Sequence, residues 1–308
     1  MNLNNFVEFL RNLGFTDIGF SDIINSVFSY EVSLGESNVE QVRFAYTPSP
    51  TDVFSEHQRS WNKNDTNNFI AVGDNQTYII DVKVKPDQGK PLASKIKSFD
   101  YGVNTQGFEK ENIQEITKVF IDSSYFFDFV TKHRKKSQEV DKDLLLNLIA
   151  LRNDLLKIKN DEKTIHLLIL RCLFIKYLED KKIFPENPLI VALSSKSPAK
   201  LIKVFEEIKK INGDIFKDDQ ILENQIDIGY LENLLQFFTS DYRSGQGYLF
   251  PYLFDQIPIQ LISNVYEAFL NNDKRQGKGI YYTPPFLVNF ILSHSLEEKL
   301  KENPNVTV

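Results

Sequence analysis

Residues 69–85 read FIAVGDNQTYIIDVKVK, and this stretch decides the fold class of the first third of the chain. Two apolar runs, 69–73 and 77–85, are separated by Asp74-Asn75, a pair that favours a tight turn. We therefore expect two antiparallel strands joined as a β-hairpin.

The sequence on either side of this hairpin predicts helices and a further strand. Residues 6–13 carry apolar side chains at helical spacing, and Gly14 follows as a C-cap. Residues 39–46 (VEQVRFAY) predict a strand, and residues 52–61 (DVFSEHQRSW) predict a short helix after a proline break. Residues 1–105 are therefore expected to form an α+β module.

From about residue 113 onward the pattern becomes helical. Residues 165–178 are apolar nearly all round, which is typical of a buried central helix. Another helix is indicated near residue 141 by leucines on one face, which are Leu144, Leu148, Leu151 and Leu155. We expect a mainly α-helical domain over residues 106–270, with residues 271–308 as a third segment.

Composition and charge exclude several classes of protein. The single cysteine, Cys172, rules out a disulfide framework, and the four histidines are too scattered for metal-ligand spacing. No run approaches the roughly 18 uncharged apolar residues of a membrane helix, and no signal peptide is recognisable. We therefore expect a cytoplasmic protein. The net charge of −6 predicts only modest, salt-sensitive affinity for DNA.

Asp81-Val-Lys83 is the sharpest enzymatic candidate. In PD-(D/E)xK nucleases, an acidic-x-Lys element and an upstream acid hold Mg²⁺ and activate the attacking water. Asp81, as the metal ligand, and Lys83 would point to the same face of one strand. The upstream acid would be Asp65 or Asp74, with Asp52 as a third choice. The same pattern also arises by chance in charged strands, so an inactive nuclease-like module is the alternative.

Two basic groups are candidates for contact with duplex DNA. Arg59 and Lys63 flank Trp61, the only tryptophan, and Arg134 and Lys135 belong to a basic run. Such cations neutralise phosphates, although a charge run is usually a solvated surface. Trp61 is expected to pack in the interior rather than to stack on a base.

The stretch 279–292 reads GIYYTPPFLVNFIL and predicts a capped helix. Thr283 supplies a side-chain oxygen at the N-cap, and Pro284 supplies a fixed φ at the first helical position. An apolar stripe at helical spacing follows. Because a helix N-terminus presents free N–H groups, it suits the carboxylate or another polar edge of a ligand.

Together with ISNVYEAFL at residues 262–270, this stretch closely resembles the entrance to the catalytic domain of N6-adenine DNA methyltransferases. The similarity is greatest to the type IIG restriction-modification branch. There a Tyr-Thr-Pro element contacts S-adenosyl-methionine, a role that the resemblance implies for Tyr282, Thr283 and Pro284. The acidic-Pro-x-Cys-Gly-x-Gly cofactor loop and the Asn/Asp-Pro-Pro-aromatic catalytic tetrapeptide do not occur in the sequence.

Similarity to the same family extends over the rest of the chain. Ser60-Trp61-Asn62 and Lys85-Pro86 resemble the N-terminal module of these proteins. RCLFIKYLEDKKI at residues 171–183 resembles a buried helix of the region that follows, and Leu249-Phe-Pro-Tyr252 also recurs there. Family members often lack the acidic residue in the strand equivalent to that of Asp81, which implies a nuclease-like fold without cutting activity.

Three functions are consistent with these features. The first is the N-terminal, DNA-positioning part of a site-specific adenine DNA methyltransferase, inactive by itself. Its partners would be double-stranded DNA and C-terminal methyltransferase and target-recognition domains, and the full-length parent would use S-adenosyl-methionine. The second is a Mg²⁺-dependent DNA endonuclease that uses Asp81 and Lys83. The third is a structural or interaction fragment without a ligand.

Overall fold

A computed structural model describes most of the chain up to residue 271. The described ranges are 3–33, 39–105, 110–134, 138–184, 187–210, 225–244 and 249–271. Within them, one mixed β-sheet is followed by a helical region, so the predicted α+β class is confirmed. The stretch 279–292 and the predicted cofactor residues Tyr282, Thr283 and Pro284 lie outside the described residues.

The described sheet has six strands in chain order. Strands β3 and β4 are parallel and the other neighbouring pairs are antiparallel. The helix between β3 and β4 makes the crossover that a parallel pair requires. The strands are β1 Ile23–Ile24, β2 Val27–Ser33, β3 Val39–Tyr46, β4 Asn68–Val72, β5 Thr77–Asp81 and β6 Lys95–Phe99.

Helices flank the sheet and form the second half of the described chain. Short 3-10 helices also occur at Phe20–Asp22 and Lys110–Ile116. The α-helices are α1 Leu3–Asn12, α2 Pro50–Lys63, α3 Lys118–Asp122, α4 Tyr125–His133, α5 Val140–Ile158, α6 Glu162–Asp180, α7 Pro188–Ser194, α8 Pro198–Lys209, α9 Ile228–Thr239 and α10 Ile259–Asn271.

The hairpin predicted from residues 69–85 is confirmed as β4 and β5, with Phe69 opposite Ile80. The prediction that the second strand reaches residue 85 is wrong, because β5 ends at Asp81. The Asp81 carboxylate accepts a hydrogen bond of 3.0 Å from the backbone N–H of Lys83. A side chain that bonds the backbone two residues ahead stabilises a turn, so the chain leaves the sheet here.

Helix α2 is longer than the predicted 52–61 because its N-terminus is capped two residues earlier. Ser49 accepts a hydrogen bond from the Asp52 N–H, and the Asp52 carboxylate accepts one from the Ser49 N–H. Pro50 occupies the first turn, where its missing N–H costs nothing. This capping fixes where Arg59 and Lys63 lie on the helix.

The two faces of the sheet contribute to two apolar cores. Strand residues such as Ile70 and Ile79 pack with α1 and α4 on one face. Phe69, Ala71 and Ile80 pack on the other face with α2 and the helical region. The alternation follows from the two-residue repeat of a strand. Because α4 covers the sheet, it belongs to the same layered unit as α1.

The helical region is built around α5 and α6. The leucine stripe predicted from residue 144 onward is buried in α5, and α6 is the buried central helix predicted over 165–178. Among the described residues, no helix is long and apolar enough to cross a membrane. The division into 1–105, 106–270 and 271–308 stays a prediction.

Candidate functional site

Asp81 and Lys83 lie close together, but their side chains have different partners. Asp81 is fully buried. Its Oδ1 accepts a hydrogen bond from the backbone N–H of Lys83 and lies 3.7 Å from Nε of Arg134. The Lys83 ammonium instead donates a hydrogen bond of 2.7 Å to the side chain of Asn64. Lys83 lies beyond the strand, so the two residues do not share one strand face as predicted. This arrangement stabilises a turn.

The candidate upstream acids are engaged elsewhere. Asp65 forms an ion pair of 2.5 Å with Arg43, and Asp74 accepts a hydrogen bond of 2.6 Å from Tyr46 at the opposite end of the hairpin. Asp52 belongs to the N-terminal cap of α2. The described part of the chain contains no group of three or more His, Cys, Asp or Glu side chains able to hold a metal ion. These residues do not fit Mg²⁺.

Three of the predicted cations, Arg59, Lys63 and Arg134, lie in the described part of the chain, two on α2 and one directly after α4. Arg59 and Lys63 lie one helical turn apart on α2, which places them on one face. The Asn64 side chain binds Lys83, whose N–H binds Asp81, and Arg134 lies beside Asp81. We call Arg59, Lys63, Lys83 and Arg134 the cationic group. Lys135 lies outside the described residues.

The members of the cationic group are accessible to different degrees. The Arg59 side chain is 44% exposed and forms an ion pair of 2.8 Å with Glu56, whereas that of Arg134 is 26% exposed. Lys63 and Lys83 are half-buried. The Asp81 carboxylate is fully buried, so it is less accessible than any member of the cationic group.

Trp61 is buried, as predicted, and joins the module to the helical region. Its indole Nε1–H donates a hydrogen bond of 2.8 Å to the carbonyl of Gln138, and its ring stacks on Tyr252 at 6.1 Å between centroids. Because the indole is buried, hydrogen-bonded and stacked on Tyr252, Trp61 packs in the interior and does not stack on a nucleic-acid base.

Asn62 makes the next contact between the two parts. Its amide Nδ2 donates a hydrogen bond of 3.0 Å to the carbonyl of Pro251, and its Oδ1 accepts one of 2.9 Å from the N–H of Leu253. Gln58, one turn earlier, donates to the same Pro251 carbonyl at 3.3 Å. We call this junction between α2 and the segment around Tyr252 the seam.

An ionic network around the buried carboxylates of Asp143 and Asp241 continues the seam. The Lys85 ammonium lies 2.6 Å from Asp143 and 2.8 Å from Asp241. Arg243 donates a hydrogen bond of 2.8 Å to Asp143, and the Tyr252 hydroxyl donates one of the same length. Asp143 is therefore the shared acceptor of groups from two distant parts of the sequence, Lys85 on one side and Arg243 and Tyr252 on the other.

The protonation states of this network follow from its geometry. Burial favours the neutral form of Asp143 and is the largest single influence on its pKa. Attraction to Lys85 and hydrogen bonds from Lys85, Tyr252 and Gln138 together outweigh burial, so the pKa lies below its usual range. Burial and the negative charge of Asp143 raise the pKa of Tyr252 well above its usual value. At neutral pH Asp143 is therefore a carboxylate and Tyr252 a hydrogen-bond donor.

A cleft of about 790 Å³ opens beside the ionic network. One wall is the α2 surface at Phe54 and Gln58, and another is the segment from Lys85 to Lys90. Phe250 and Pro251 close the side formed by the helical region. No local sequence pattern indicates this cleft, because its walls are far apart along the chain.

A buried Ser94–His57 pair superficially resembles a nucleophile and its base. Ser94 Oγ lies 3.3 Å from His57 Nδ1, but both side chains are buried, at 3% and 1% exposure. Burial lowers the pKa of His57 to about 4. A substrate has no access to either group, so we assign the pair to the core.

Comparisons with protein families, with curated proteins and with solved structures give no match to this chain. The resemblance carried by residues 262–270 and 279–292 therefore stays a sequence-based prediction. The roles of Tyr282, Thr283 and Pro284 toward S-adenosyl-methionine also stay predictions. So do the roles toward DNA of Arg59, Lys63, Arg134 and Lys135.

Proposed function

We propose that this chain is the DNA-positioning part of a site-specific adenine DNA methyltransferase of the restriction-modification type. In this proposal the described part holds duplex DNA and presents it to methyltransferase and target-recognition domains, which carry the chemistry. The chain by itself does not transfer methyl groups, because its sequence lacks the glycine-rich cofactor loop and the catalytic tetrapeptide.

The observation that carries the proposal is the seam. Three of the stretches that resemble this family are far apart in sequence, yet they meet in the structure. Asn62 of the first stretch binds the backbone on both sides of Tyr252 in the third. Lys85 of the second stretch forms an ion pair with Asp143. Asp143 also accepts a hydrogen bond from the hydroxyl of Tyr252, which belongs to the third stretch. Residues resembling one family therefore build one junction, as expected for a rigid scaffold.

The buried helix of the resemblance also reaches this junction. Asp180, at the end of α6, accepts a hydrogen bond of 3.2 Å from the N–H of Phe254. Lys181 donates one of 2.6 Å to the carbonyl of Asp255. The segment that follows Tyr252 is thus fixed from both sides, by α2 and by α6. Such a platform holds its surface groups at constant spacing, which favours a positioning role.

The cationic group supports duplex DNA as the ligand. Lys83 binds Asn64 at the end of α2, Arg134 lies beside Asp81 at the end of β5, and Arg59 and Lys63 lie on the last turns of α2. Neutralising phosphates releases counterions, so each contact strengthens binding in a salt-dependent manner. The net charge of −6 opposes this attraction elsewhere on the surface. Binding by this chain is therefore expected in the micromolar range, about 10⁻⁶ to 10⁻⁴ M near physiological salt.

The two other functions gain less support. A Mg²⁺-dependent endonuclease requires further acidic ligands beside Asp81, and the candidate acids are engaged elsewhere. A purely structural fragment differs from the proposal in one measurable property, since it does not bind DNA. The residues assigned to S-adenosyl-methionine lie outside the described ranges, and no step of the proposal depends on them.

The proposal is tested by fluorescence anisotropy of a labelled duplex titrated with the full chain at about 50 to 200 mM salt. Arg59→Gln combined with Lys63→Gln should weaken binding and reduce the salt slope by about 0.9 for each phosphate that the double variant no longer neutralises. Lys157→Gln is the matched control, because Lys157 also forms an i,i+3 surface ion pair but lies in α5. Failure of the wild-type chain to bind duplex DNA would favour the structural fragment.

A further inference from the structure

The cleft beside the seam is built from both parts of the molecule. Phe54 and Gln58 come from α2, whereas Phe250 and Pro251 come from the segment that Asn62 and Trp61 hold in place. Its volume of about 790 Å³ is within the range of small-molecule sites. Because the seam fixes both walls, the cleft is preorganised in the unliganded chain.

The charges in the cleft are already balanced. The Lys85 ammonium lies within 3 Å of two carboxylates, Asp143 and Asp241, and Arg243 binds Asp143 as well. Two cations and two anions give this network no net charge. A phosphate would therefore compete with two carboxylates for Lys85, so the cleft does not select an anion. An uncharged ligand with hydrogen-bonding groups fits better.

One buried carboxylate oxygen of a cleft-lining residue lacks a hydrogen-bond donor. Asp241 lines the cleft and is 5% exposed. Its Oδ2 accepts from Lys85 and from the hydroxyl of Ser244, but within the described part of the chain its Oδ1 accepts no hydrogen bond. A buried acceptor without a donor is costly. A ligand that brings an N–H to this oxygen removes that cost.

The rest of the lining is mixed, with polar residues such as Gln58 and Gln88 beside apolar ones. The apolar part comes from Phe54, Phe250, Pro86, Pro251 and Leu249, of which Leu249 is 58% exposed. Aromatic rings such as those of Phe54 and Phe250 can bind planar heterocycles by stacking, which tolerates different bases. Planarity, neutrality and one N–H donor are the properties of a nucleobase.

We propose that this cleft binds a single nucleobase carrying an exocyclic amino group, with Asp241 accepting its N–H and the aromatic walls stacking on its ring. The inference rests on the proposed function in one respect, since the DNA that the chain positions would supply the base. It deepens that function by assigning a second contact, distinct from the cationic group, that is independent of phosphate.

The indole N–H of Trp61 offers a direct probe of the cleft. Trp61 is the only tryptophan, and its N–H donates a hydrogen bond to the backbone carbonyl of Gln138, a residue that lines the cleft. The full chain with ¹⁵N-labelled tryptophan is titrated with deoxyadenosine, deoxycytidine, thymidine and inorganic phosphate. We expect saturable shifts with the two amino-bearing nucleosides at about 0.1 to 3 mM. Thymidine should bind at least about threefold more weakly, and phosphate should cause no shift.

Two variants separate the roles of the cleft residues. Asp241→Asn should reduce the preference for amino-bearing nucleosides, because a neutral acceptor replaces a charged one. Leu249→Ala should weaken all three nucleosides alike, and because Leu249 is exposed the substitution should not impair folding. Asp154→Asn is the matched control, because Asp154, like Asp241, is bound by a lysine and by a hydroxyl group but does not line the cleft. This control should leave nucleoside affinity unchanged.

The outcomes distinguish this inference from the proposed function. Duplex binding without any nucleoside shift would overturn the cleft assignment and leave the DNA-positioning role intact. Nucleoside binding that depends on Asp241, without duplex binding, would support the cleft and contradict that role. Shifts caused by phosphate alone, or by an arginine-containing tripeptide but not by nucleosides, would also overturn the assignment.

Discussion

Asn62 Nδ2 donates a hydrogen bond of 3.0 Å to the carbonyl of Pro251, which lies 189 residues later in the chain. The same side chain accepts from the N–H of Leu253, so one amide fixes two backbone groups of a segment without regular secondary structure. Asn62 is fully buried, and its neighbour Trp61 stacks on Tyr252. This junction makes the sheet and the helical region parts of one platform.

Replacing Asn62 should destabilise the chain strongly. Asn62→Ala leaves the Pro251 carbonyl with Gln58 as its side-chain donor and deprives the partly buried Leu253 N–H of its acceptor. Loss of a buried hydrogen-bond partner typically costs about 1–3 kcal/mol. We expect a decrease of about 2–4 kcal/mol in the free energy of unfolding, measured by urea denaturation. Asn5→Ala is the control, because Asn5 makes only an exposed side-chain hydrogen bond with Asn104. A decrease for Asn62→Ala no larger than that of the control would show that the seam contributes little.

Removal of the Lys85 charge should be costly, and the cost should depend on Asp241. Lys85→Met leaves Asp143 with Arg243 but deprives Asp241 of its cation. We expect a loss of about 3–5 kcal/mol for the single variant, because it strands a buried carboxylate. Adding Asp241→Asn should recover part of that loss. A double-mutant cycle by chemical denaturation measures this coupling, and strictly additive effects would contradict the network.

The stability of α6 should depend on pH through Glu179. Burial raises the pKa of Glu179 to about 7. The hydrogen bond that its carboxylate accepts from the Leu189 N–H lowers this pKa, but by less than burial raises it. Between about pH 4.5 and 7 the folded chain keeps a proton that the unfolded chain has lost, so this residue's contribution to stability falls as pH rises. Above about pH 7 that contribution is fully lost.

A Glu179→Gln variant tests this directly, because the amide keeps an acceptor for Leu189 and cannot ionise. The melting temperature of the variant minus that of the wild type should increase from pH 5 to pH 8. Glu232→Gln serves as the control, since Glu232 is an exposed partner of Lys196. A difference that stays constant over this pH range would contradict the raised pKa.

Asp81 should matter for folding and not for DNA cleavage. Asp81→Ala removes a fully buried carboxylate that binds the Lys83 N–H and lies beside Arg134. We expect a stability loss of about 2–3 kcal/mol and no Mg²⁺-dependent nicking of supercoiled plasmid by either protein. Mg²⁺-dependent nicking by the wild type that Asp81→Ala abolishes would instead establish the endonuclease alternative.

Local patterns predicted the regular elements well. The hairpin at Asp74-Asn75 and the buried helix α6 follow from short-range spacing of apolar residues, and both are confirmed. The strand beyond Asp81 was mispredicted because one side-chain hydrogen bond ends it, and alternation alone does not reveal such a bond.

The seam could not be predicted from local patterns. Asn62, Lys85 and Asp143 are residue types that are mostly exposed, and nothing in their immediate sequence indicates burial. Their burial follows from contacts with groups about 60 to 190 residues away. The predicted common strand face of Asp81 and Lys83 was likewise missed, because the chain turns after Asp81 and the Lys83 ammonium binds Asn64.

Hydrogen–deuterium exchange of the full chain, with and without duplex DNA, is the decisive measurement for the proposed DNA-positioning role. That role predicts slower exchange in the C-terminal half of α2, around Arg59 and Lys63, and at the end of α4 beside Arg134. The α8 helix, which lies outside the cationic group, should show no change. Protection absent from the ends of α2 and α4, or confined to α8, would contradict a DNA-positioning role for this chain.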